Sequence, residues 1–372
     1  MLFRSRVDPL SRLTIVIPSY CRPQYLRRQL DFWAGSEASV LVIDGSPTAI
    51  GGDVLIPKNV SYVHDPAPFT VRMSNCVHRI STEFVAVLGD DDFFSPSGLR
   101  DCITRLDAEK GLVGCVGRSV RFFYQDGRIL AEQRDPDSTE FPSTVVTGID
   151  RLMSMYHPGK IGALFYGVYR TTAWSDIVRA TYSRSFATGY IYDTVIRTLV
   201  TYRGPVGIVE SVVWFCSSEN PPVKDAPGMD RHVGFLDWLR LPENATEVRE
   251  CEALMIDDLV RCGADSREDV SRAVRFVLDE LRRRYEIKEA RHDSLAVRVR
   301  RVLMRRAPRW LKRLIKRLVP SSMGQVVDWT VVELGELTGR LGQKGITVDR
   351  NDVDKIASAV RRSHEVEISR GN

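Results

Sequence analysis

The sequence predicts an α/β protein: a mostly parallel sheet with helices on both faces, followed by a helical C-terminal region. Three observations predict it. Short apolar runs alternate with helical stretches from Thr14 to about Val120, polar clusters stand at the ends of three of those runs, and helical periodicity takes over after Asn244. Alternating β and α elements of this length bring parallel strands together and cover them with helices.

The elements follow in order. LTIVIP (13–18) is a continuous apolar run stopped by Pro18, which reads as a buried strand. Pro23 to Trp33 reads as a helix, with Pro23 suited to its first turn. SVLVIDGS (39–46) is a second strand that stops at the turn signal Asp44-Gly45-Ser46. VSYVHD (60–65) is a third strand and Phe69 to Ile80 a helix. EFVAVLGDDD (83–92) is a fourth strand ending in three acids, followed by a helix from Ser97 to Lys110 and a strand at 112–117. Residues 120–145 read as an antiparallel hairpin turning at Asp126-Gly127. A strand at 161–170, a helical stretch at 172–202 with a break near Gly189, and strand character at 206–215 close this region. Glu219 to Gly228 is Pro-rich and reads as a linker or loop. Helical patterns then cover 244–262, 266–298, 325–341 and 351–366, with Asn244 a candidate cap.

Composition sets limits. Of 372 residues, 43% are hydrophobic and 27% charged, ordinary globular values that allow a core needing no disulfide or structural metal. The seven cysteines are odd in number and irregularly spaced, which fits free thiols in a reducing compartment better than a disulfide framework or a zinc site. The first twelve residues lack the apolar run of a signal peptide, and no window approaches eighteen uncharged apolar residues, so no membrane-spanning helix is expected. The net charge of +5 is local: Arg298 to Val319 holds ten Arg and Lys and no acid, and the remainder is net acidic.

In such sheets ligands bind at the carboxyl ends of the strands, where Pro18-Ser19-Tyr20, Asp44-Gly45-Ser46 and Asp90-Asp91-Asp92 all fall. Three consecutive carboxylates repel one another unless something neutralises them. Mg²⁺ or Mn²⁺ does so with one or two carboxylates, completing its shell with phosphate oxygens and water. The plainer readings are a solvated acidic turn or a cap for the helix after Pro96.

Three motifs together resemble family 2 glycosyltransferases. Thr14-Ile15-Val16-Ile17-Pro18-Ser19-Tyr20-Cys21-Arg22-Pro23 resembles their opening strand, Arg72-Met73-Ser74-Asn75 their helical Arg-Asn motif, and FVAVLGDDDFFSP (84–96) their strand and Asp-rich turn. The resemblance covers roughly residues 13–220 and implies a GT-A fold, a nucleoside-diphosphate sugar donor (UDP favoured), Mg²⁺ or Mn²⁺, and inversion at the anomeric carbon. By position it implies that Pro18, Ser19, Tyr20 and Arg22 cradle the nucleotide and that Asp44 faces base or ribose. It also implies that Arg72 and Asn75 belong to the nucleotide-sugar site, that Asp90 approaches ribose or metal, and that Asp91, flanked by Asp92, is the main metal ligand. The sequence departs from the pattern in three places. Cys21 replaces a common Asn, Gly89 stands where the first acid of D-x-D would fall, and Asp44 is single where many relatives carry an acidic pair.

Inverting transfer needs a base for the acceptor hydroxyl, and a positioned carboxylate suffices. In the family this acid lies about a hundred residues after the metal motif at a helix start, a position Asp193 fits; Asp176 is the second choice. The alternative for Asp193 is a simple helix-capping role. His64, His78, His157 and His232 read individually as structural or exposed, with His232 the one most suited to reach a diphosphate or metal. Trp174, Tyr182, Phe186, Tyr190 and Tyr192 offer a sugar-stacking platform or, more simply, core.

The basic segment has Val302, Leu303, Trp310, Leu311, Leu314 and Leu318 at helical spacing with Arg and Lys opposite, interrupted by Pro308. It reads as an interfacial helix attracted to an anionic membrane surface, against a solvated helix packed on its own protein; no aromatic-interleaved motif supports nucleic-acid binding. The expected organisation is a tail at 1–12, a glycosyltransferase domain at 13–220, a linker at 221–243, helices at 244–297, the membrane-associating segment at 298–320 and C-terminal helices at 321–372 that could pair two copies. The expected function is an inverting glycosyltransferase acting on a glycan or lipid-linked acceptor in bacterial surface-polysaccharide synthesis, peripheral at the cytoplasmic face of the membrane. The alternatives are a non-catalytic scaffold of the same fold, or a sugar nucleotidyltransferase. The latter usually opens with a Gly-rich loop and a Lys, and neither follows Pro18.

Overall fold

A computed structural model describes residues 7–134, 147–155, 164–219, 233–263, 265–293 and 331–371. The basic segment 298–319, His157, His232 and most of the Pro-rich stretch therefore lie outside the described residues, and so does the expected helix start at 325.

Four strands form the parallel centre: β1 (Leu13–Ser19), β2 (Ser39–Asp44), β3 (Val60–His64) and β4 (Phe84–Val87), in the order β4-β1-β2-β3. The register sets Ser19 beside Asp44 and Asp44 beside His64, so their polar ends share one edge. Helices α1 (Pro23–Trp33), α2 (Phe69–Cys76) and α3 (Pro96–Ala108) connect these strands onward.

Beyond β4 the sheet becomes mixed. The long β6 (Gly114–Gln125) turns into β7 (Arg128–Arg134), while β8 (Val168–Arg170) inserts between β4 and β6, antiparallel to both. The β6–β7 turn is the expected one: Asp126 and Gly127 take φ of 51° and 78°, the left-handed pair of a type I′ hairpin. The fourth strand is shorter than its apolar run suggested. It ends at Val87, the acids form a turn closed by Asp92 N–H donating to Gly89 O at 3.2 Å, and β5 (Phe93–Phe94) leaves to pair with β9 (Val206–Ser217). Strand β9 also runs parallel to β6.

Helices cover both faces, as the α/β class requires. On one face α1 and α3 pack with α10 (Leu334–Gln343) and α11 (Arg350–Gly371), burying Leu30, Trp33, Leu99, Leu337, Ile356 and Val360 in one core. On the other, α2 joins α4 (Gly148–Met155), α5 (Thr171–Thr181), α6 (Tyr190–Arg203), α7 (Phe235–Arg240), α8 (Ala245–Cys262) and α9 (Arg267–Asp293) around Met73, Trp174, Val195, Trp238 and Val274. The residues after β9 are thus part of both cores. A short strand β10 (Val332–Glu333) even extends the sheet beside β7. This is the Rossmann-like sheet with helices on both faces that the GT-A resemblance implies. No helix among the described residues is long and apolar enough to cross a membrane.

Candidate functional site

The acidic turn sits at the carboxyl edge of the parallel strands, and α1 holds its backbone. Gln29 Nε2 donates to the carbonyls of Asp90 (3.1 Å) and Asp92 (2.6 Å), and Arg28 Nη2 donates to the carbonyl of Asp91 (2.7 Å). Trp33 Nε1 donates in turn to Gln29 Oε1 at 3.1 Å, which fixes the amide's orientation. Consecutive side chains of one helix thus clamp three consecutive carbonyls.

The three carboxylates have different surroundings. Asp90 is buried, accepting from Ser19 Oγ at 2.8 Å and from Arg22 Nη1 at 3.1 Å. Burial pushes its pKa up to about 6; Arg22 opposes the shift and Asp91 adds to it. Asp91 is 20% exposed and lies 3.7 Å from Arg22. Asp92 is buried and faces β9: Trp214 Nε1 donates to Oδ2 at 2.9 Å and Ser217 N–H to Oδ1 at 2.8 Å. Gly89 leaves room for this arrangement, since a Cβ there would lie 3.0 Å from Asp91 Oδ1 and 3.3 Å from Asp92 Oδ2.

The second strand end is equally built up. Asp44, buried, accepts from Ser46 N–H (2.9 Å) and Ser46 Oγ (2.5 Å) on one oxygen and from Tyr62 Oη (2.7 Å) on the other. Arg72 is buried, and its guanidinium donates to Ser19 O, Ile43 O and Ala67 O at 3.1, 2.9 and 3.1 Å. It therefore ties the ends of β1 and β2 together. Burial lowers its pKa, with Asp44 and Asp65 opposing. Gly45 lets Arg72 come this close: a Cβ would stand 2.2 Å from Arg72 Cζ, and the guanidinium would have to shift. Cys21 takes φ of 53°, the left-handed region where Asn is favoured, which gives a backbone reason for the Asn found in the family pattern.

Ser19, Arg22, Asp90 and Asp91 thus form one connected group, with Asp44 and Arg72 alongside, and Pro18 and Tyr20 are half-buried at the same strand end. Asn75 stands exposed near the end of α2. Asp193 lies in the first turn of α6, paired with Arg197 one turn on, its side chain 42% exposed. Tyr166 is buried, and burial first, then the charges of Asp92 and Cys216, raises its pKa. Asp176 is exposed beside Arg179. Trp174, Tyr182 and Phe186 are core, and Tyr190 is exposed. His64 Nε2 donates to Ser46 O at 2.7 Å.

Sequence reading missed Arg28, Gln29, Tyr166, Trp214 and Ser217. Trp214 read as one more apolar residue of a strand, yet its indole serves Asp92 and its ring stacks on Tyr166 at 3.6 Å. Arg28 and Gln29 gave one signal, polar side chains on the buried side of an amphipathic helix.

Among the described residues no group of three or more His, Cys, Asp or Glu is arranged to hold a metal ion. No protein-family model matches the chain, and no curated protein matches it. Solved structures of S. aureus TarS are similar at 13% identity. TarS 1–349 in complex with UDP-GlcNAc aligns over 72% of this chain and 72% of that one with a TM-score of 0.43. TarS 1–349 in complex with UDP aligns over 73% and 89% with a TM-score of 0.36, and TarS over 73% and 54% with 0.35. Likeness this loose adds nothing to the reading of individual residues.

Proposed function

We propose that the chain is a metal-dependent, inverting glycosyltransferase. It moves a sugar from a nucleoside-diphosphate donor, UDP favoured, to a hydroxyl of a glycan or lipid-linked acceptor in surface-polysaccharide assembly. The observation that supports this best is the built carboxyl edge: Asp90 buried against Ser19 and Arg22, with Asp91 reaching solvent beside the same arginine.

Asp91 is the carboxylate we assign to a metal, because at 20% exposed it reaches solvent at the strand edge while Asp90 and Asp92 are buried. Mg²⁺ or Mn²⁺ needs only one or two carboxylates from the protein when phosphates supply the rest. A bound ion would neutralise the departing diphosphate. Arg22 adds a fixed positive charge at the same edge. The Arg72 clamp keeps the ends of β1 and β2, and so Ser19 and Asp44, in a fixed relation for nucleotide binding. Asp193 serves as the base that takes the acceptor's proton, held by Arg197 at a helix start. Holding donor and acceptor in line supplies much of the remaining rate gain. Segment 298–319 is assigned to the membrane surface, where lipid-linked acceptors reside.

The test is thermal-shift titration with nucleoside diphosphates and UDP-sugars, with and without Mn²⁺, followed by donor hydrolysis in wild type and Asp91→Asn. Stabilisation that needs both nucleotide and Mn²⁺, and hydrolysis reduced about 100-fold or more in Asp91→Asn, are expected. Full hydrolysis by Asp91→Asn in the presence of chelator would refute the metal assignment.

A further inference from the structure

Arg28 and Glu219 form an ion pair in the interior: Arg28 Nη1 lies 3.3 Å from Glu219 Oε2, with side chains 1% and 6% exposed. The guanidinium is held between two rings, 4.6 Å from the Tyr25 centroid and 5.0 Å from Phe93. Its other terminal nitrogen, Nη2, is the one that donates to the Asp91 carbonyl. Glu219 has a second set of partners. Its Oε1 accepts from Tyr124 N–H at 2.9 Å and faces His364 Nε2 at 3.2 Å. A carboxylate oxygen only accepts, so His364 carries a proton on Nε2. The His364 ring is stacked on Tyr124 at 4.1 Å and belongs to α11, which packs against α1.

A buried ion pair is weak evidence for stability, because desolvation offsets most of its attraction; geometric specificity is the better-attested use. Here the geometry has one destination. Gln29 holds the carbonyls on either side, so Arg28 alone among the clamp residues sets the peptide of the residue proposed to meet the metal. Rotating that peptide would turn the Asp91 side chain.

We propose that Arg28, Glu219 and His364 are positioning residues. They form a relay from the C-terminal helix α11 to the Asp91 peptide that fixes the direction of the Asp91 carboxylate. The relay couples a segment more than 270 positions away in sequence to the acidic turn. Its effect on turnover rests on the glycosyltransferase reading; its effect on the turn does not.

The full-length protein carries the test. Glu219→Gln keeps an oxygen to accept from Tyr124 and His364 but offers Arg28 an amide in place of the second oxygen. His364→Phe keeps the ring on Tyr124 and removes the donor; His364→Gln restores a donor. Hydrogen exchange of peptides covering residues 89–95 is expected to quicken roughly 10-fold in Glu219→Gln and His364→Phe, while peptides of β1 stay at the wild-type rate and His364→Gln stays close to it. In Mn²⁺–UDP-sugar hydrolysis the same two variants should lose roughly 10- to 100-fold in kcat, with donor KM within about threefold, while wild-type exchange in the β1 peptides excludes a general loss of fold. Wild-type exchange at 89–95 in His364→Phe overturns the relay, as does equal loosening by His364→Gln and His364→Phe. Should Glu219→Gln fail to fold, the His364 pair decides. A wild-type protein indifferent to Mn²⁺ and UDP would sink the glycosyltransferase reading and leave the exchange result to judge the relay by itself.

Discussion

Asp90 offers a measurable consequence of burying a carboxylate beside another one. Its folded pKa of about 6 lies above the ordinary 3.8, chiefly because burial penalises the charged form. A carboxylate with a raised folded pKa holds its proton more tightly in the native state. The metal-free protein therefore has this group's full contribution below about pH 4 and loses it as pH rises through 6. The difference of about two pKa units corresponds to about 3 kcal/mol, an upper bound because Arg22 and Ser19 can readjust. Asp90→Asn removes the charge and keeps groups that Ser19 and Arg22 can bond. In EDTA, urea unfolding is expected to show the variant equal to wild type only near pH 3 and more stable by about 1–3 kcal/mol at pH 8. Because other groups titrate over the same range, the quantity read is the difference between the two proteins. A difference that stays flat with pH, or a wild type that remains the more stable at pH 8, would refute the assignment of the shift to burial of Asp90.

Other substitutions separate structure from chemistry. Asp193→Asn breaks only a half-exposed pair one helical turn long, so stability should change by about 0.5 kcal/mol or less, while donor-to-acceptor transfer falls by roughly 10²-fold or more; retained transfer removes Asp193 as the base. Trp214→Phe takes the indole donor from buried Asp92 and should cost about 1–3 kcal/mol in urea unfolding. Gly45→Ala drives a methyl into the Arg72 guanidinium. It should cost about 2–3 kcal/mol by uncovering the carbonyls of Ser19 and Ile43, and in a double-mutant cycle it should add little once Arg72→Ala is already present.

Much of the architecture could be read from local pattern. The runs at 13–18 and 39–46 became β1 and β2, Pro23 opened α1, and Asp126-Gly127 made the hairpin turn. Apolar runs and turn residues report on their own neighbourhood, so these elements needed no distant partner. The run 83–92 was misjudged in its length for the same reason: the apolar run 84–88 reads as unbroken strand, but the change of direction at Gly89 depends on β9 receiving β5. The edge strand β10 was invisible, since two residues carry no period.

By itself the sequence determined the α/β class, the strands whose ends carry polar groups, and the presence of three adjacent acids at one of them. Tertiary structure alone decided what each acid does. Asp92 is taken by an indole 122 positions onward, Asp90 by Ser19 at the end of β1 and Arg22 just before α1, and Asp91 is left nearest to solvent on a peptide held by Arg28. Three identical side chains have identical intrinsic chemistry. Their differences come from burial and from hydrogen-bond partners that only the folded chain brings into reach, and no spacing rule along the chain encodes those distances.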